Sequence, residues 1–214
     1  MKKDYIGLNL GCGPNILDGW YNTDIQPIDE RVYYLDASKP FPIEDESFNF
    51  IFSEHMFEHL TYQQGKNMLS ECYRVLKPGG VLRLSLPTLD FLVNLYMLGD
   101  DNVEEVYYEY IKWAMESFDE SGCLYDRIID KSCFVINNFY RLWGHKMIYS
   151  SSAINDMLHN AGFRLVLKSS NYNSVYPELC DVNGHGRQIP TQFNDIETTP
   201  FEAQKKETEI FTKF

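Results

Sequence analysis

Residues 5–15 read YIGLNLGCGPN, a short apolar run that ends in a turn rich in glycine, proline and asparagine. The apolar run predicts a buried strand, and Gly11 and Gly13 give the turn after it a permissive backbone. Similar apolar segments, each followed by turn residues, are found at residues 20–25, 32–35, 48–52, 81–86 and 163–167. Strands of this kind that alternate with helical segments predict a doubly wound α/β fold with a mostly parallel sheet.

The helical segments have recognisable boundaries. Thr61 and Ser150 each precede an apolar pattern with spacings of three and four, so each is positioned to cap a helix. Residues 89–143 combine helical periodicity with many aromatic side chains, which predicts a helical insertion after the fifth strand. We interpret residues 171–199 as a loop and residues 207–214, which alternate between apolar and polar side chains, as a final strand.

Length and charge limit the classes of function. The chain has 214 residues, of which 44% are hydrophobic, so we expect one domain over residues 1–214 with the insertion inside it. Its 19 basic and 31 acidic residues give a net charge of −12, which argues against nucleic acids and membranes as partners. Residues 100–120 hold eight acidic residues and one lysine. We interpret them as a solvated helical face, with an electrostatic lid or partner surface as the alternative.

The expected location is the cytoplasm. No apolar run approaches the length of a membrane span, and the first residues lack the apolar core of a secretion signal. The five cysteines are odd in number and widely spaced, with no CxxC pair. This usage is typical of free thiols in a reducing compartment, and it provides no zinc-site spacing.

Polar residues follow four of the predicted strands. Ligands of doubly wound sheets bind at the carboxyl ends of the strands, so these positions are candidates for a binding site. The turn with Gly11 and Gly13 lets a ligand approach the backbone closely. Asp24 is an acceptor suited to a ribose diol, Asp36 is suited to an adenine amino group, and residues 53–55 add a polar strand end. Together these residues predict a nucleoside site.

A dinucleotide is the competing ligand, and the spacing does not fit it. The dinucleotide fingerprint requires a third glycine three residues after the second, and an acidic residue about 20 residues further on. Ile16 occupies the glycine position, and Asp24 follows Gly13 by only eleven residues. The interval 11–19 is also too short for a parallel crossover with a helix. We therefore expect a turn there, with the backbone amides of residues 11–15 as ligand donors.

With these features the sequence resembles the class I S-adenosylmethionine-dependent methyltransferases, close to the type 11 branch. The resemblance is carried by LNLGCG at 8–13, FNFIFSEH at 48–55, EHL at 58–60, RVLKPGG at 74–80 and AGF at 161–163. It implies a seven-stranded sheet of order 3-2-1-4-5-7-6 with an antiparallel last strand, and S-adenosylmethionine as the cofactor. It also implies a cofactor site made of Asn9, Gly11, Cys12, Gly13, Pro14, Asp24, Ile25, Asp36, Ala37, Ser38, Ser53, Glu54 and His55.

The methyl acceptor must meet a base if it is a hydroxyl group, because the hydroxyl proton has to be removed. His55, after the fourth strand, and His145, after the insertion, are the candidate catalytic bases. The aromatic side chains of the insertion suit a sugar ring or a planar metabolite, so the expected acceptor is a small molecule or a saccharide. The alternative is a non-catalytic nucleoside-binding domain that acts in regulation or assembly through the acidic, aromatic insertion.

A metal site is a further hypothesis. His55, Glu58 and His59 would share one face of a helical turn, and His145 is available as a fourth ligand. Some methyltransferases of the class that the sequence resembles place metal ligands in this segment, whereas metal-free members have a similar Glu-His pair. We therefore expect no metal, and a cation held by these residues is the alternative hypothesis.

Overall fold

The computed structural model describes residues 5–98, 105–116 and 130–207. The final strand predicted at 207–214 lies outside these ranges apart from its first residue, and the acidic segment 100–120 lies only partly inside them. Within the described ranges, no helix combines the length and the apolar composition needed to cross a bilayer. Four of the five cysteines lie in these ranges, and none of those four forms a disulfide.

One sheet organises the described part of the chain. Its strands are β1 (Gly7–Leu10), β2 (Tyr21–Asp24), β3 (Val32–Tyr34), β4 (Phe48–Glu54), β5 (Leu76–Pro87), β6 (Leu165–Lys168) and β7 (Thr198–Gln204). The order across the sheet is β3-β2-β1-β4-β5-β7-β6. Strands β1 to β5 pair in parallel, whereas β7 runs antiparallel to both β5 and β6. The expected fold and strand order are confirmed.

Strand β7 differs from the sequence-based interpretation, which extended a loop to residue 199. The strand contains Pro200, and a proline cannot donate a hydrogen bond to a neighbouring strand. In the structure Pro200 pairs with Ser85 near the start of β7, where its carbonyl accepts a hydrogen bond from the Ser169 amide at 3.0 Å. Proline is tolerated because it lies close to the beginning of the strand.

The helices of the described residues are α1 (Tyr62–Val75), α2 (Leu89–Leu98), α3 (Glu105–Glu116), α4 (Lys131–Arg141), α5 (Ser151–Asn160) and α6 (Thr191–Glu197). Both predicted caps are confirmed. The Thr61 hydroxyl accepts a hydrogen bond from the Gln64 amide while the Gln64 side chain accepts one from the Thr61 amide, and Ser150 caps α5. Residues 11–20, all of them described, form turns in place of a first helix, as their short interval predicted.

Two hydrophobic clusters position these elements. The larger one lies between the sheet and helices α1 and α5, and it includes Leu8, Ile51 and Met68. The second lies within the insertion around Tyr110 and Phe139, where α2, α3 and α4 meet α6. Each large apolar side chain buried in this way contributes about 1.5–3 kcal/mol. The insertion therefore shares a hydrophobic cluster with α6 beside the carboxyl ends of β4 and β5.

The tail, which we define as residues 169–190, covers the other face of the sheet. Leu179 and Val182 pack there against Trp20 and Phe52. The tail lies over β4 and β5 and beside Trp20, which ends the turns that join β1 to β2 in place of a helix. It thereby contributes to the core and reaches the carboxyl ends of β1 and β4.

Arg83 in β5 attaches the tail to the sheet. Its guanidinium group is fully buried and forms an ion pair with Glu202 of β7. It also donates hydrogen bonds to the Asn183 side chain at 3.0 Å and to the backbone carbonyls of Ser170 at 2.6 Å and Asn171 at 2.9 Å. Burying a charged group is costly unless it is paired in this way. The tail therefore supplies the acceptors that allow Arg83 to be buried.

Candidate active site

A cavity of about 330 Å³ opens at the carboxyl ends of β1 and β4. The glycine turn and the end of β4 form one side of it, and aromatic side chains of the insertion, Trp113 and Trp143 among them, line it as well. The predicted residues that line this cavity are Asn9, Gly11, Cys12, Gly13, Pro14, Glu54, His55 and His145. The glycine turn and both predicted bases therefore share one cavity.

The other predicted cofactor residues do not line this cavity. Asp24 lies directly behind the glycine turn, since its Oδ2 accepts a hydrogen bond from the Gly13 amide at 2.9 Å. Asp36 accepts a hydrogen bond from the Ser38 hydroxyl at 2.6 Å, which lowers the pKa of Asp36. The remaining three differ in exposure: Ala37 and Ser53 are buried and Ile25 is 56% exposed. The predicted nucleoside residues are thus divided between the cavity and the neighbouring ends of β2 and β3, except for Ser53, which is buried in β4.

The glycine turn combines a close contact with open space. Gly11 and Gly13 have φ angles of +68° and +48°. A Cβ atom on Gly11 would lie 2.4 Å from Met56 Cγ, whereas a Cβ atom on Gly13 would meet nothing within 4 Å among the described residues. The amides of Cys12, Gly13 and Asn15 donate hydrogen bonds inside the protein, which differs from their expected role as ligand donors. The open space at Gly13 is the feature that fits a ligand here.

Glu54 at the end of β4 binds the tail. Its carboxylate accepts hydrogen bonds from the amides of Gly184 at 2.7 Å and His185 at 3.0 Å, and from the Asn183 side chain at 2.9 Å. Asn15 of the glycine turn also donates to the Val182 carbonyl at 2.8 Å. Glu54 is thus satisfied by protein donors, and these contacts bring His185 into the cavity.

His185 and Glu197 belong to the site and were missed in the sequence. His185 Nε2 lies 3.2 Å from Glu197 Oε1, and the Tyr110 hydroxyl donates to Glu197 Oε2 at 2.7 Å. Burial of Tyr110 raises its pKa well above the usual value, so the phenol stays protonated and acts as a donor. The sequence feature that could have indicated His185 is the stretch Asn183-Gly184-His185-Gly186, which places a histidine between two glycines in a segment interpreted as a loop.

His55 is held in a strained conformation with a defined tautomer. Its φ angle is +46°, in a region that residues other than glycine rarely adopt. Its Nε2 atom lies 2.7 Å from the Thr198 hydroxyl, which itself donates to Asn194 Oδ1 at 2.8 Å. Because that hydroxyl proton is committed, His55 Nε2 must be the donor and Nδ1 the acceptor. Burial lowers the pKa of His55 to about 4, so the ring is neutral at pH 7.

The rings of His55 and His185 are stacked, with their centroids 3.7 Å apart. The second predicted base, His145, is held by a separate contact. Its Nδ1 atom lies 2.7 Å from the Phe139 carbonyl, so Nδ1 carries the proton and Nε2 is an acceptor. Burial lowers the pKa of His145. Both predicted bases are therefore neutral imidazoles with one nitrogen engaged, and the imidazoles of His59 and His185 line the same cavity.

Glu58 and His59 lie beside His145, as the metal hypothesis expected. Glu58 is fully buried in the 3-10 turn Phe57–His59, and burial raises its pKa. No described residue donates a hydrogen bond to either carboxylate oxygen, and His55 Nδ1 lies 3.4 Å from Glu58 Oε1. One ligand atom from each of Glu58, His59 and His145 lies within 4.8 Å of the other two.

Comparisons with known proteins agree with this architecture. Residues 29–84 match a family model described as a methyltransferase domain, and no curated protein matches the chain. A possible exported protein from Bordetella parapertussis is 12% identical, with a TM-score of 0.51, over 96% of this chain and 64% of that protein. A SAM-dependent methyltransferase from Archaeoglobus fulgidus is 17% identical, with a TM-score of 0.49, over 92% of this chain and 85% of that protein. The family match covers residues 29–84 alone, and the strand order is the one implied by the resemblance to the class I S-adenosylmethionine-dependent methyltransferases.

Proposed function

We propose that this protein methylates a hydroxyl group of a small molecule or a saccharide that binds in the cavity between the glycine turn and the insertion. The observation that supports this most directly is that the glycine turn lines the same cavity as four imidazoles, those of His55, His59, His145 and His185. A hydroxyl nucleophile holds its proton at neutral pH, and a neutral imidazole is a suitable acceptor for that proton.

The cofactor of the proposed reaction is S-adenosylmethionine. The open space at Gly13 and the carboxylate of Asp24 directly behind it suit the cofactor. Asp36, which the sequence assigned to the adenine, follows the neighbouring strand, and its carboxylate is held there by Ser38 and Lys39. When bound, it supplies an electrophilic methyl group on a sulfonium sulfur. The residues of this chain would bind and orient the acceptor, exclude water and take its proton.

We propose that His185 is the base that takes the proton of the acceptor hydroxyl. Glu197 orients this imidazole, and the Tyr110 hydroxyl fixes the other carboxylate oxygen of Glu197. A carboxylate that holds an imidazole in one orientation is the arrangement that general bases use. His55 is less suited because its Nε2 is committed to Thr198 and its Nδ1 faces Glu58. His145 keeps a free Nε2, but this residue is grouped with Glu58 and His59 and not with Glu197.

The first test measures cofactor binding and methyl transfer in the same preparation. Calorimetry with S-adenosylhomocysteine should detect one site, and transfer of a radiolabelled methyl group should be seen with some member of a panel of hydroxyl-bearing metabolites and sugars. Binding without transfer to any of them would favour a non-catalytic nucleoside-binding domain. Absence of binding at millimolar concentrations would contradict the proposed function.

The second test concerns the base. His185→Gln should lower kcat by about 10²–10⁴-fold, with little effect on the affinity for S-adenosylhomocysteine. His159→Gln is the matched control, because His159 is exposed on α5 and its Nδ1 contacts only the Asn155 carbonyl of its own helix. The assignment of the base is wrong if the His185 variant keeps the kcat and the pH profile of the control. His145→Gln in the same assay tests the base predicted from the sequence.

A further inference from the structure

The cavity contains two clusters of groups that could bind a metal ion. One consists of His55, His185 and Glu197, and the other of Glu58, His59 and His145. Both belong to the part of the chain that the structure describes, and both mix imidazole nitrogen with carboxylate oxygen. They differ in whether each acceptor atom already has a protein donor, and this difference decides which of them is suited to a cation.

The first cluster is satisfied without a cation. Glu197 receives the Tyr110 hydroxyl on one oxygen and His185 Nε2 on the other. His55 donates through Nε2 to the Thr198 hydroxyl. Donors and acceptors are therefore matched, and a metal ion would have to displace these hydrogen bonds.

The second cluster has acceptors without donors. Glu58 is 0% exposed, and neither carboxylate oxygen receives a hydrogen bond from a described residue. His145 uses its Nδ1 proton on the Phe139 carbonyl, so its Nε2 is a lone-pair donor. His55 Nδ1, an acceptor by the same reasoning, lies 3.4 Å from Glu58 Oε1. A buried carboxylate surrounded by unprotonated nitrogens is costly unless a cation or a proton lies between them.

The backbone fixes the ligands before any cation binds. Glu58 and His59 are neighbours in the short turn after β4. The amides of Lys146 and Met147 donate to the Glu58 carbonyl at 2.8 Å and 3.2 Å, which ties the residues after His145 to the turn. The contact between His145 Nδ1 and a backbone carbonyl is the support that metal-binding histidines typically have.

We propose that Glu58, His59 and His145 bind a divalent transition-metal cation, with His55 Nδ1 next to it. Two imidazole nitrogens and a carboxylate favour Zn²⁺, Mn²⁺, Fe²⁺ or Co²⁺ over Ca²⁺ and Mg²⁺, which prefer oxygen ligands. The three protein ligands leave coordination positions open to a ligand from the cavity. The role of such a cation in holding the acceptor hydroxyl rests on the proposed function, whereas its binding does not.

The test uses the full chain after treatment with a chelator and removal of that chelator. Titration with Zn²⁺ should reveal about one equivalent bound, with a dissociation constant below about 1 μM. Co²⁺ should give the visible absorption bands of a bound ion with nitrogen ligands. Glu58→Gln and His145→Gln should each weaken Zn²⁺ binding by about 100-fold or more. His185→Gln should leave the Zn²⁺ affinity unchanged, because His185 belongs to the satisfied cluster.

Two outcomes would overturn the metal site. One is absence of binding for Zn²⁺, Mn²⁺ and Co²⁺, which would mean that a proton bridges Glu58 and His55. The other is a Glu58→Gln variant that binds Zn²⁺ as tightly as the unmodified protein. Binding of S-adenosylhomocysteine is measured in the same samples. A protein that binds Zn²⁺ but not S-adenosylhomocysteine contradicts only the proposed function. A protein that binds S-adenosylhomocysteine but not Zn²⁺ contradicts only the metal site.

Discussion

Replacing Arg83 by methionine should destabilise the protein more than any exposed charge change. Methionine fills similar space and has no donors, so the carboxylate of Glu202 would be left buried and unpaired. Removing one partner of a buried ion pair costs about 3–5 kcal/mol. The carbonyls of Ser170 and Asn171 would also lose their donor, so we expect a loss of at least about 3 kcal/mol. The total free energy of unfolding of a domain is typically about 5–15 kcal/mol, so this loss is a large part of it.

Urea unfolding followed by tryptophan fluorescence measures this loss. Arg164→Met is the matched control, since Arg164 is exposed and should change the free energy of unfolding by at most about 0.5 kcal/mol. Arg83→Lys keeps the positive charge but lacks the planar array of donors of a guanidinium group. Its loss of unfolding free energy should therefore lie between those of Arg83→Met and Arg164→Met. Trypsin should also cleave the Arg83→Met protein faster at Arg187, an exposed residue of the tail. A loss below about 1 kcal/mol, or one equal to that of the control, would refute the reasoning.

Two further predictions concern the glycine turn and the cysteines. Gly11→Ala should lower the free energy of unfolding by about 2–4 kcal/mol, because residue 11 has a left-handed backbone conformation and the new Cβ would clash with Met56. Gly13→Ala has only the cost of the left-handed conformation, about 1 kcal/mol, because its Cβ would meet no described atom. Equal thermal shifts for the two variants would contradict this. Burial, with a smaller contribution from Asp24, raises the pKa of Cys12 to about 11, so at pH 8 iodoacetamide should modify the exposed Cys133 before Cys12. Mass spectrometry of the modified peptides measures the order, and earlier modification of Cys12 would overturn it.

The features that sequence reasoning predicted well are those determined by neighbouring residues. The Thr61 cap depends on a partner three residues away, and the glycine turn depends on the backbone freedom of Gly11 and Gly13. The strand order followed from the motifs that carry the family resemblance. Such features can be predicted because the interaction and the sequence signal lie in the same short segment.

The part of the site that the sequence did not reveal depends on contacts between distant segments. His185 reaches the cavity because its amide and that of Gly184 bind Glu54, about 130 residues earlier in the chain. Glu197 becomes a partner of His185 through its position at the end of α6, a helix inside a segment interpreted as a loop. Neither residue belongs to a motif, and composition alone does not indicate where a loop of this length will pack.

The tail links the stability of the fold to the assembly of the site. A single side chain, Asn183, accepts a hydrogen bond from Arg83 at 3.0 Å and donates to Glu54 and to Ser85, each at 2.9 Å. Arg83 needs the tail for its own burial, and Glu54 needs it as a source of donors. Loosening the tail would therefore remove His185 from the cavity at the same time as it exposes a charge in the core. This coupling explains how a long segment whose regular structure is limited to two short 3-10 helices can hold a candidate base in a fixed place.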